Sequence, residues 1–398
     1  MMEDHADDVD GSRRDPSRPS SRRRFLAASG ALATGALAGC TDVLPGGSGD
    51  GTSASELSLG DFRGSGPLVE ERAAPGGTSI SDLPDLSGEL TMYLGGGESG
   101  LYLDLIDLLE QIYPDFSVSS QQGSASDLTN RIAEENRAGS TPADVFMAVD
   151  AGALGSVAEN GAAVSLSSNV TDPVRDAFTD SEGRWVGFAG RARAIPYNTS
   201  ELSGDDVPSA VADFPETDAF GEAFGWAPSY SAFQSFVTAM RVIEDDETTR
   251  QWLGSMQDLG VTTYDNEFAV SNRVADGEIT AGFANHYYAL RVQSDRSSAP
   301  IDLAFTEGDA GALVNVSGAQ ILDGSENVEL AENFLRHVLS AEAQEFFATR
   351  TYAYPMIEGV APVGGLPTID ELNPPDIDLT ELSDIGGTVD MLRDVGVL

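Results

Sequence analysis

From about residue 88 onward, short apolar runs of strand length alternate with stretches in which apolar residues recur at helical spacing. Runs of strand length occupy residues 89–94, 143–149, 192–197 and 279–284. Helix-like stretches occupy residues 101–112, 127–137, 233–243 and 334–339. Strands that alternate with helices in this way predict an α/β fold, in which crossover helices connect the strands of a sheet.

The first 86 residues lack this periodicity. Residues 21–26 read Ser-Arg-Arg-Arg-Phe-Leu, which resembles a twin-arginine export signal, and the apolar run 26–38 is too short and too rich in Gly and Ala to span a bilayer. The run ends in Leu-Ala-Gly-Cys40, which resembles a lipobox, and Cys40 is the only cysteine. We expect residues 1–39 to be a signal peptide, Cys40 to carry a lipid anchor, and residues 40–86 to be a flexible tether rich in Gly, Ser and Asp.

Length and charge narrow the picture further. With 398 residues, the chain is longer than one compact core usually allows, so two lobes are expected. All 22 cationic residues are Arg, against 65 Asp and Glu, and the formal net charge is -43. Such a chain resembles the proteins of extremely halophilic archaea, in which carboxylates keep the surface hydrated in concentrated salt. Nucleic acid is not an expected partner, because phosphate binding requires clustered cations.

The segment with the most distinctive chemistry is Asn285-His286-Tyr287-Tyr288, which directly follows the run 279–284. If Asn285 caps the next helix, both tyrosines lie in its first turn, at the sheet edge where open α/β folds bind ligands. A phenol ordinarily titrates at about pH 10, so a strongly Lewis-acidic cation is needed to remove its proton at neutral pH. Fe(III) suits phenolate oxygen. Two adjacent tyrosines can equally form an amphipathic patch, with one ring buried and the other wet.

This segment is similar to the tandem-tyrosine signature of the ferric-iron-binding proteins of ABC importers. Other stretches agree with that family in order and spacing, namely residues 90–93, 143–146, 185–193, 197–198, 317–319 and 354–355. The resemblance implies a bilobal periplasmic binding protein of type II, with two α/β lobes joined by hinge strands that close on the ligand.

The resemblance also implies an order of lobes along the chain. Residues 87–191 are expected to form the first part of lobe 1, residues 192–307 lobe 2, and residues 308–345 the return to lobe 1. Residues 346–398 are expected to pack mainly on lobe 2.

Carried over residue by residue, the resemblance assigns the iron site to Tyr287 and Tyr288. Asn285 and Arg193 match positions that hold an accompanying anion, carbonate or phosphate. Ser229 and Ser231 lie where family members hold that anion at the start of a helix.

The chain departs from the family pattern at the remaining ligands. Glu98 stands in the loop where many members supply a histidine, so it is either a substitute oxygen ligand or a solvated acid. Tyr230 is a candidate third phenol. His286 is expected to face solvent or to cap the helix locally, because the adjacent tyrosines fill the role of ligands.

Three classes of function remain open at this point. The resemblance implies a monomeric lipoprotein on the outer face of the cytoplasmic membrane, which captures ferric iron and delivers it to a permease driven by an ATPase. The second class keeps the fold and binds another small solute, such as an oxyanion or a polyamine. The third is an extracellular hydrolase, which has poor support because the three histidines offer no recognisable nucleophile and base arrangement.

Overall fold

The computed structural model describes residues 57–96, 99–139, 141–221 and 223–398. The strands are β1 (Gly88–Gly95), β2 (Phe116–Gly123), β3 (Val145–Ala148), β4 (Val186–Asn198), β5 (Phe224–Trp226), β6 (Thr262–Thr263), β7 (Ala281–Gly282), β8 (Ala284–Asn285), β9 (Ile301–Ala304), β10 (Val314–Ile321) and β11 (Tyr354–Pro355). The α-helices are α1 (Leu59–Phe62), α2 (Ser99–Ile112), α3 (Ala125–Ala138), α4 (Ala151–Glu159), α5 (Ser168–Thr171), α6 (Ser231–Ile243), α7 (Asp246–Asp258), α8 (Glu267–Ala275), α9 (His286–Asp295), α10 (Val328–Val338), α11 (Ala341–Phe346), α12 (Ile369–Leu372) and α13 (Ile385–Asp394). A π-helix, Phe347–Thr351, continues α11.

The first half of the sheet is built around β1. This strand pairs in parallel with β2 on one side and β3 on the other, and β10 runs antiparallel to β3. Leu90, Met92 and Leu94 are fully buried, and Tyr93 on the opposite face is 2% exposed. Both faces of the second half of β1 are therefore covered, as is usual for strands in parallel pairs, and this explains the continuous apolar run from Met92 to Leu94.

Strand β4 runs through both halves of the sheet. It has 13 residues, and its partner changes half-way, because Ala192 lies opposite Val314 of β10 whereas Arg193 lies opposite Asn285 of β8. Beyond this point β4 pairs with β9 and β7, and β7 continues in parallel to β5 and β6. The change of partner falls between residues 192 and 193, one residue after the change of lobe that the resemblance implies, and the lobe bounds themselves stay a prediction.

The C-terminal segment contacts elements of both halves. The backbone of Ser383 lies 3.1 Å from the place where a Cβ of Gly152 in α4 would stand, so a glycine there permits the close approach. On the other side, Thr388 of α13 shares a hydrogen bond of 2.7 Å with Thr238 of α6. Residues 379–394 thus contact both α4 and α6, and the packing of residues 346–398 mainly on lobe 2 stays a prediction.

Residues 57–86, which we call the N-terminal belt, pack onto the rest of the protein. Phe62 is 2% exposed, and Arg63 and Arg72 both reach the fully buried carboxylate of Glu345 on α11. Gly64 lies against the backbone of Thr349 with no room for a Cβ. The prediction of a flexible tether is therefore wrong for residues 57–86. These residues lack periodic apolar positions, but the side chains of Arg63 and Arg72 hold their irregular backbone in place. Residues 40–56, including Cys40, lie outside the described residues.

The predicted runs 89–94, 101–112, 127–137 and 233–243 are confirmed as β1, α2, α3 and α6. The run 279–284 is a pair of two-residue strands, β7 and β8, that leads directly into α9. Within the part of the chain that the structure covers, no helix combines the length and the apolar character that a membrane span requires.

Candidate functional site

The candidate site begins where β8 passes into α9. Asn285 has extended backbone angles and occupies the N-cap position of α9, as predicted, but its side chain makes no capping bond. His286, Tyr287 and Tyr288 form the first turn of the helix. This turn lets two consecutive phenols lie on neighbouring faces, whereas consecutive residues of a regular strand would point to opposite sides.

Three phenol groups meet at this turn. Tyr287 and Tyr288 are 3% and 7% exposed, and their ring centroids are 4.4 Å apart. Tyr230, at the N-cap of α6, shares a hydrogen bond between its hydroxyl and that of Tyr288. The structure thus brings Tyr230 to the adjacent pair Tyr287 and Tyr288, the second of which lies 58 positions later in the sequence, and all three were predicted as iron ligands.

The surroundings of Tyr288 disfavour its charged form. Burial is the largest cause that raises its pKa well above the usual range, followed by the proximity of Tyr287 and the hydrogen bond with Tyr230. The guanidinium carbon of Arg291 lies 5.1 Å from the ring centroid of Tyr287 and 5.5 Å from that of Tyr288. The phenol is therefore neutral at ordinary pH, and only a strong Lewis acid would displace its proton.

The available donors favour phenol oxygens over other metal ligands. Among the described residues, no group of three or more His, Cys, Asp and Glu side chains is placed to hold a metal ion. Glu98 lies outside the described residues, so its predicted role as a ligand stays a prediction. Phe268 is 39% exposed, and its ring centroid lies 6.0 Å from that of Tyr288, so one side of the phenol cluster is near solvent.

Beside the phenols lies a buried ion pair that the sequence did not reveal. Arg193 of β4 is 2% exposed, and its Nη1 pairs with the carboxylate of Glu267, which is fully buried at the start of α8. The other carboxylate oxygen, Oε2, accepts a hydrogen bond of 2.8 Å from the backbone N–H of Asn285. Two residues predicted to bind an anion, Arg193 and Asn285, are therefore already bonded to a carboxylate of the same chain.

Asn285 connects this ion pair to the phenols. Its Oδ1 accepts a hydrogen bond of 3.3 Å from Nη1 of Arg193, and its Nδ2 donates one of 3.3 Å to the hydroxyl of Tyr287. The orientation of the Asn285 amide is consequently fixed from both ends.

A small cavity of about 90 Å³ adjoins the ion pair. Arg191, Arg193, Ser231 and Asn285 contribute to its wall. Within the described part of the chain, Nε and Nη2 of Arg193 have no hydrogen-bond partner. Ser231 lines this cavity and Ser229 does not, although both residues are exposed. Their roles in holding an anion stay predictions.

His286 has a structural role instead of the exposed or capping position that was expected. It is fully buried, its Nε2 donates a hydrogen bond of 2.7 Å to the carbonyl of Tyr352, and its Nδ1 accepts one of 3.2 Å from the N–H of Ala192. Burial lowers the pKa of His286 to about 4, and the charge of Arg191 acts in the same direction. A neutral imidazole therefore ties the tyrosine helix to β4 and to the end of the π-helix.

Comparison with known proteins agrees with this architecture. Residues 105–371 match the family described as bacterial extracellular solute-binding protein. The chain is 28% identical over 287 residues to the Fe(3+)-binding periplasmic protein of Serratia marcescens, an alignment that covers 71% of this chain and 83% of that protein. It is 30% identical over 255 residues to iron uptake protein A2 of Synechocystis sp., covering 60% and 71% of the two chains.

A solved structure gives the same picture for the fold. Iron-bound HitA from Pseudomonas aeruginosa superimposes with a TM-score of 0.68 and 26% identity, over 77% of this chain and 99% of that one. The predicted α/β fold of a type II periplasmic binding protein is confirmed by this match. The chain therefore belongs to the bacterial extracellular solute-binding protein family.

Proposed function

We propose that this protein captures ferric iron outside the cytoplasm and delivers it to the permease of an ABC importer. The observation that carries the proposal is the meeting of Tyr230, Tyr287 and Tyr288 at the start of α9, where two of the three rings are almost fully buried. Phenolate oxygen is a hard, anionic donor, and a hard trivalent cation is its natural partner.

Charge balance favours a trivalent ion at this place. Binding of the ion would release one proton from each phenol, and three phenolates would neutralise three positive charges within a buried setting, where an unbalanced charge is costly. The raised pKa of Tyr288 adds selectivity, because a weaker Lewis acid would not displace the proton.

The similar proteins support the same cargo. The relative from Serratia marcescens is named for binding Fe(3+), and the superimposed structure from Pseudomonas aeruginosa is iron-bound. Glu98 remains a further proposed ligand. The resemblance also assigns an accompanying anion to Asn285, Arg193, Ser229 and Ser231, but the carboxylate of Glu267 already bonds to Arg193 and Asn285.

The proposed location follows from the N-terminal sequence. The twin-arginine segment at residues 21–26 would export the folded protein, and lipidation of Cys40 would anchor it at the outer face of the cytoplasmic membrane. There a monomer would deliver its ion to the permease, which an ATPase drives. Cys40→Ser is expected to move the protein from the membrane fraction to the soluble fraction, and an unchanged distribution would argue against the anchor.

Iron binding is tested by colour. Addition of ferric iron should produce a phenolate-to-iron charge-transfer band in the visible, and the double variant Tyr287→Phe, Tyr288→Phe should lack it. Tyr354→Phe is the matched control, because Tyr354 is a buried tyrosine whose hydroxyl has no hydrogen-bond partner among the described residues. A wild-type protein that stays colourless, or a band that survives in the double variant, would overturn the proposal. A phosphate-like anion or a polyamine that alone raised the melting temperature would favour another solute.

A further inference from the structure

The carboxylate of Glu267 lies where the sequence resemblance placed an external anion. It is fully buried and pairs with Nη1 of Arg193 through Oε1. Through Oε2 it accepts a hydrogen bond of 2.8 Å from the backbone N–H of Asn285. Arg193 and Asn285 are two of the four residues that were predicted to hold carbonate or phosphate.

A carboxylate and carbonate offer similar chemistry to these donors. Each presents two anionic oxygens in a plane, which is the geometry that guanidinium and amide N–H groups bind best. The charge of Arg193 is already matched by Glu267, and a second anion on the same donors would be repelled strongly in this water-excluded place. An external anion is therefore unnecessary at Nη1 of Arg193 and at the N–H of Asn285.

The ion pair also acts on the phenols. Arg193 donates to Oδ1 of Asn285 at 3.3 Å, and Nδ2 of Asn285 donates to the hydroxyl of Tyr287 at 3.3 Å. Glu267 therefore fixes two partners, and one of these partners fixes the orientation of an iron-binding oxygen.

We propose that Glu267 is a built-in replacement for the accompanying anion, so that the protein binds ferric iron without external carbonate or phosphate. This inference rests on the proposed capture of iron. Glu267 is a positioning residue, since it touches Arg193 and Asn285 rather than the ion. Glu267 also determines what the site requires, because iron binding then no longer depends on carbonate or phosphate from solution.

The adjoining cavity defines the competing arrangement. Its volume of about 90 Å³ equals the liquid volume of about three water molecules, and Nε and Nη2 of Arg193 lack hydrogen-bond partners within the described part of the chain. A small anion that bound there would lie beside Glu267 and use different nitrogens of Arg193. The experiment must distinguish this arrangement from the proposed one.

The test is an iron titration in chloride buffer freed of carbonate and phosphate. Iron is added as ferrous chloride and oxidised with carbonate-free air, and the charge-transfer band is followed without addition, with bicarbonate and with phosphate. The wild type should reach the same intensity and the same apparent affinity in all three solutions. In Glu267→Gln the buried Arg193 loses its counter-charge, so bicarbonate or phosphate should raise the apparent iron affinity about tenfold or more.

Two further variants distinguish the proposed role of the Glu267 charge from a general effect of a lost carboxylate or of lost stability. Glu278→Gln is the matched control, because Glu278 is 54% exposed, pairs with Arg273, and should stay independent of added anions. Glu267→Asp keeps the charge and should also bind iron without an added anion. Circular dichroism establishes whether Glu267→Gln is folded, and if it is not, the wild type and Glu267→Asp decide the question.

Each outcome has one meaning. A wild-type band that appears only with bicarbonate or phosphate would overturn the inference while leaving iron capture intact. A folded Glu267→Gln protein that ignores added anions would overturn it as well. Absence of the band in every solution would instead overturn the proposed function, and the inference with it.

Discussion

Two buried glutamates show how differently one kind of side chain is used in this protein. Glu345, under the N-terminal belt, is fully buried and accepts hydrogen bonds from Nε of Arg63 at 2.7 Å and from Nε and Nη2 of Arg72 at 3.0 and 2.9 Å. Glu267, beside the tyrosine site, is equally buried but pairs with one arginine, which retains two nitrogens without a hydrogen-bond partner among the described residues.

The two sites differ in how many nitrogens of the paired arginines make hydrogen bonds. At Glu345 the remaining arginine nitrogens bond to backbone carbonyls, for instance Nη1 of Arg72 to Pro362 at 3.0 Å and Nη2 of Arg63 to Ala73 at 2.7 Å. Such a network holds chain segments together and leaves little capacity for a ligand. At Glu267 donors and a small cavity are left over, next to phenols that carry the proposed chemistry. Of these two clusters, only the one at Glu267 leaves guanidinium nitrogens without a hydrogen-bond partner among the described residues.

The largest effect is expected from Glu345→Gln. The substitution leaves Arg63 and Arg72 without a counter-charge, so the free energy of unfolding should fall by about 3 kcal/mol. Denaturant unfolding measures this change. The folded fraction should still give the full iron band, because Glu345 does not contact the tyrosine site.

The control for this prediction is Glu182→Gln. Glu182 is 70% exposed and lies 3.5 Å from Arg184, so its loss should change the free energy of unfolding by less than about 1 kcal/mol. Equal losses of stability in the two variants would show that the belt is not held by Glu345. Loss of the iron band in folded Glu345→Gln would show that Glu345 also affects the tyrosine site, and the contrast with Glu267 would not hold.

The next effect concerns His286 and acid. Burial holds the pKa of His286 at about 4 in the folded protein, whereas an exposed histidine titrates at about 6.5. As the pH falls below 6.5, the unfolded chain gains a proton that the folded protein does not gain until about pH 4, so stability is full above 6.5 and is lost across this window. His286 alone should cost roughly 2 kcal/mol between pH 7 and pH 5.

Urea unfolding of wild type and His286→Gln at both pH values measures this contribution. The glutamine variant should lose less stability on acidification, by the amount assigned to His286. His337→Gln is the control, since burial lowers the pKa of His337 too. The loss of stability of this variant on acidification should still include the contribution of His286. Identical pH slopes in wild type and His286→Gln would show that the imidazole is not held neutral.

Local elements could be predicted from the sequence more readily than their tertiary partners. The runs that became β1, α2, α3 and α6 carry their own apolar periodicity, and the adjacent tyrosines were visible as a motif. Strand β4 was predicted over only six residues, because its first half, residues 186–191, contains two glycines, an alanine and an arginine and only two larger apolar residues.

What the sequence did not reveal depends on contacts between distant residues. Glu267 is one of 65 acids, and only its pairing with Arg193, which lies 74 positions earlier, distinguishes it. The belt was hidden for the same reason, since Arg63 finds Glu345 282 positions away. In so acidic a chain, the position of a single carboxylate carries little information until the fold is known.

A smaller effect is expected from Tyr230→Phe, which acts on binding rather than on folding. The variant loses the hydroxyl that bonds to Tyr288 but keeps the adjacent pair, so a weaker and spectrally shifted iron band should remain. Apparent iron affinity should fall at least about tenfold, as for the loss of a group that ligates a metal or orients a ligand. The melting temperature without iron should change little, and unchanged affinity would exclude Tyr230 from the site.

The smallest effect is expected from Glu278→Gln, which completes the series from buried to exposed carboxylates. Glu278 and Arg273 are 54% and 44% exposed, and their ion pair of 2.5 Å is surrounded by solvent, so its loss should cost about 0.5 kcal/mol or less. Because the chain carries a formal charge of -43, removal of one carboxylate also relieves repulsion, which is strongest in dilute salt. The two effects oppose each other in dilute salt and are both screened in concentrated salt, so the variant should come nearest to wild-type stability in concentrated salt, as measured by melting at both ionic strengths. A large loss at either salt concentration would mean that exposed carboxylates hold this fold together, and the contrast between Glu345 and Glu267 would then no longer rest on burial.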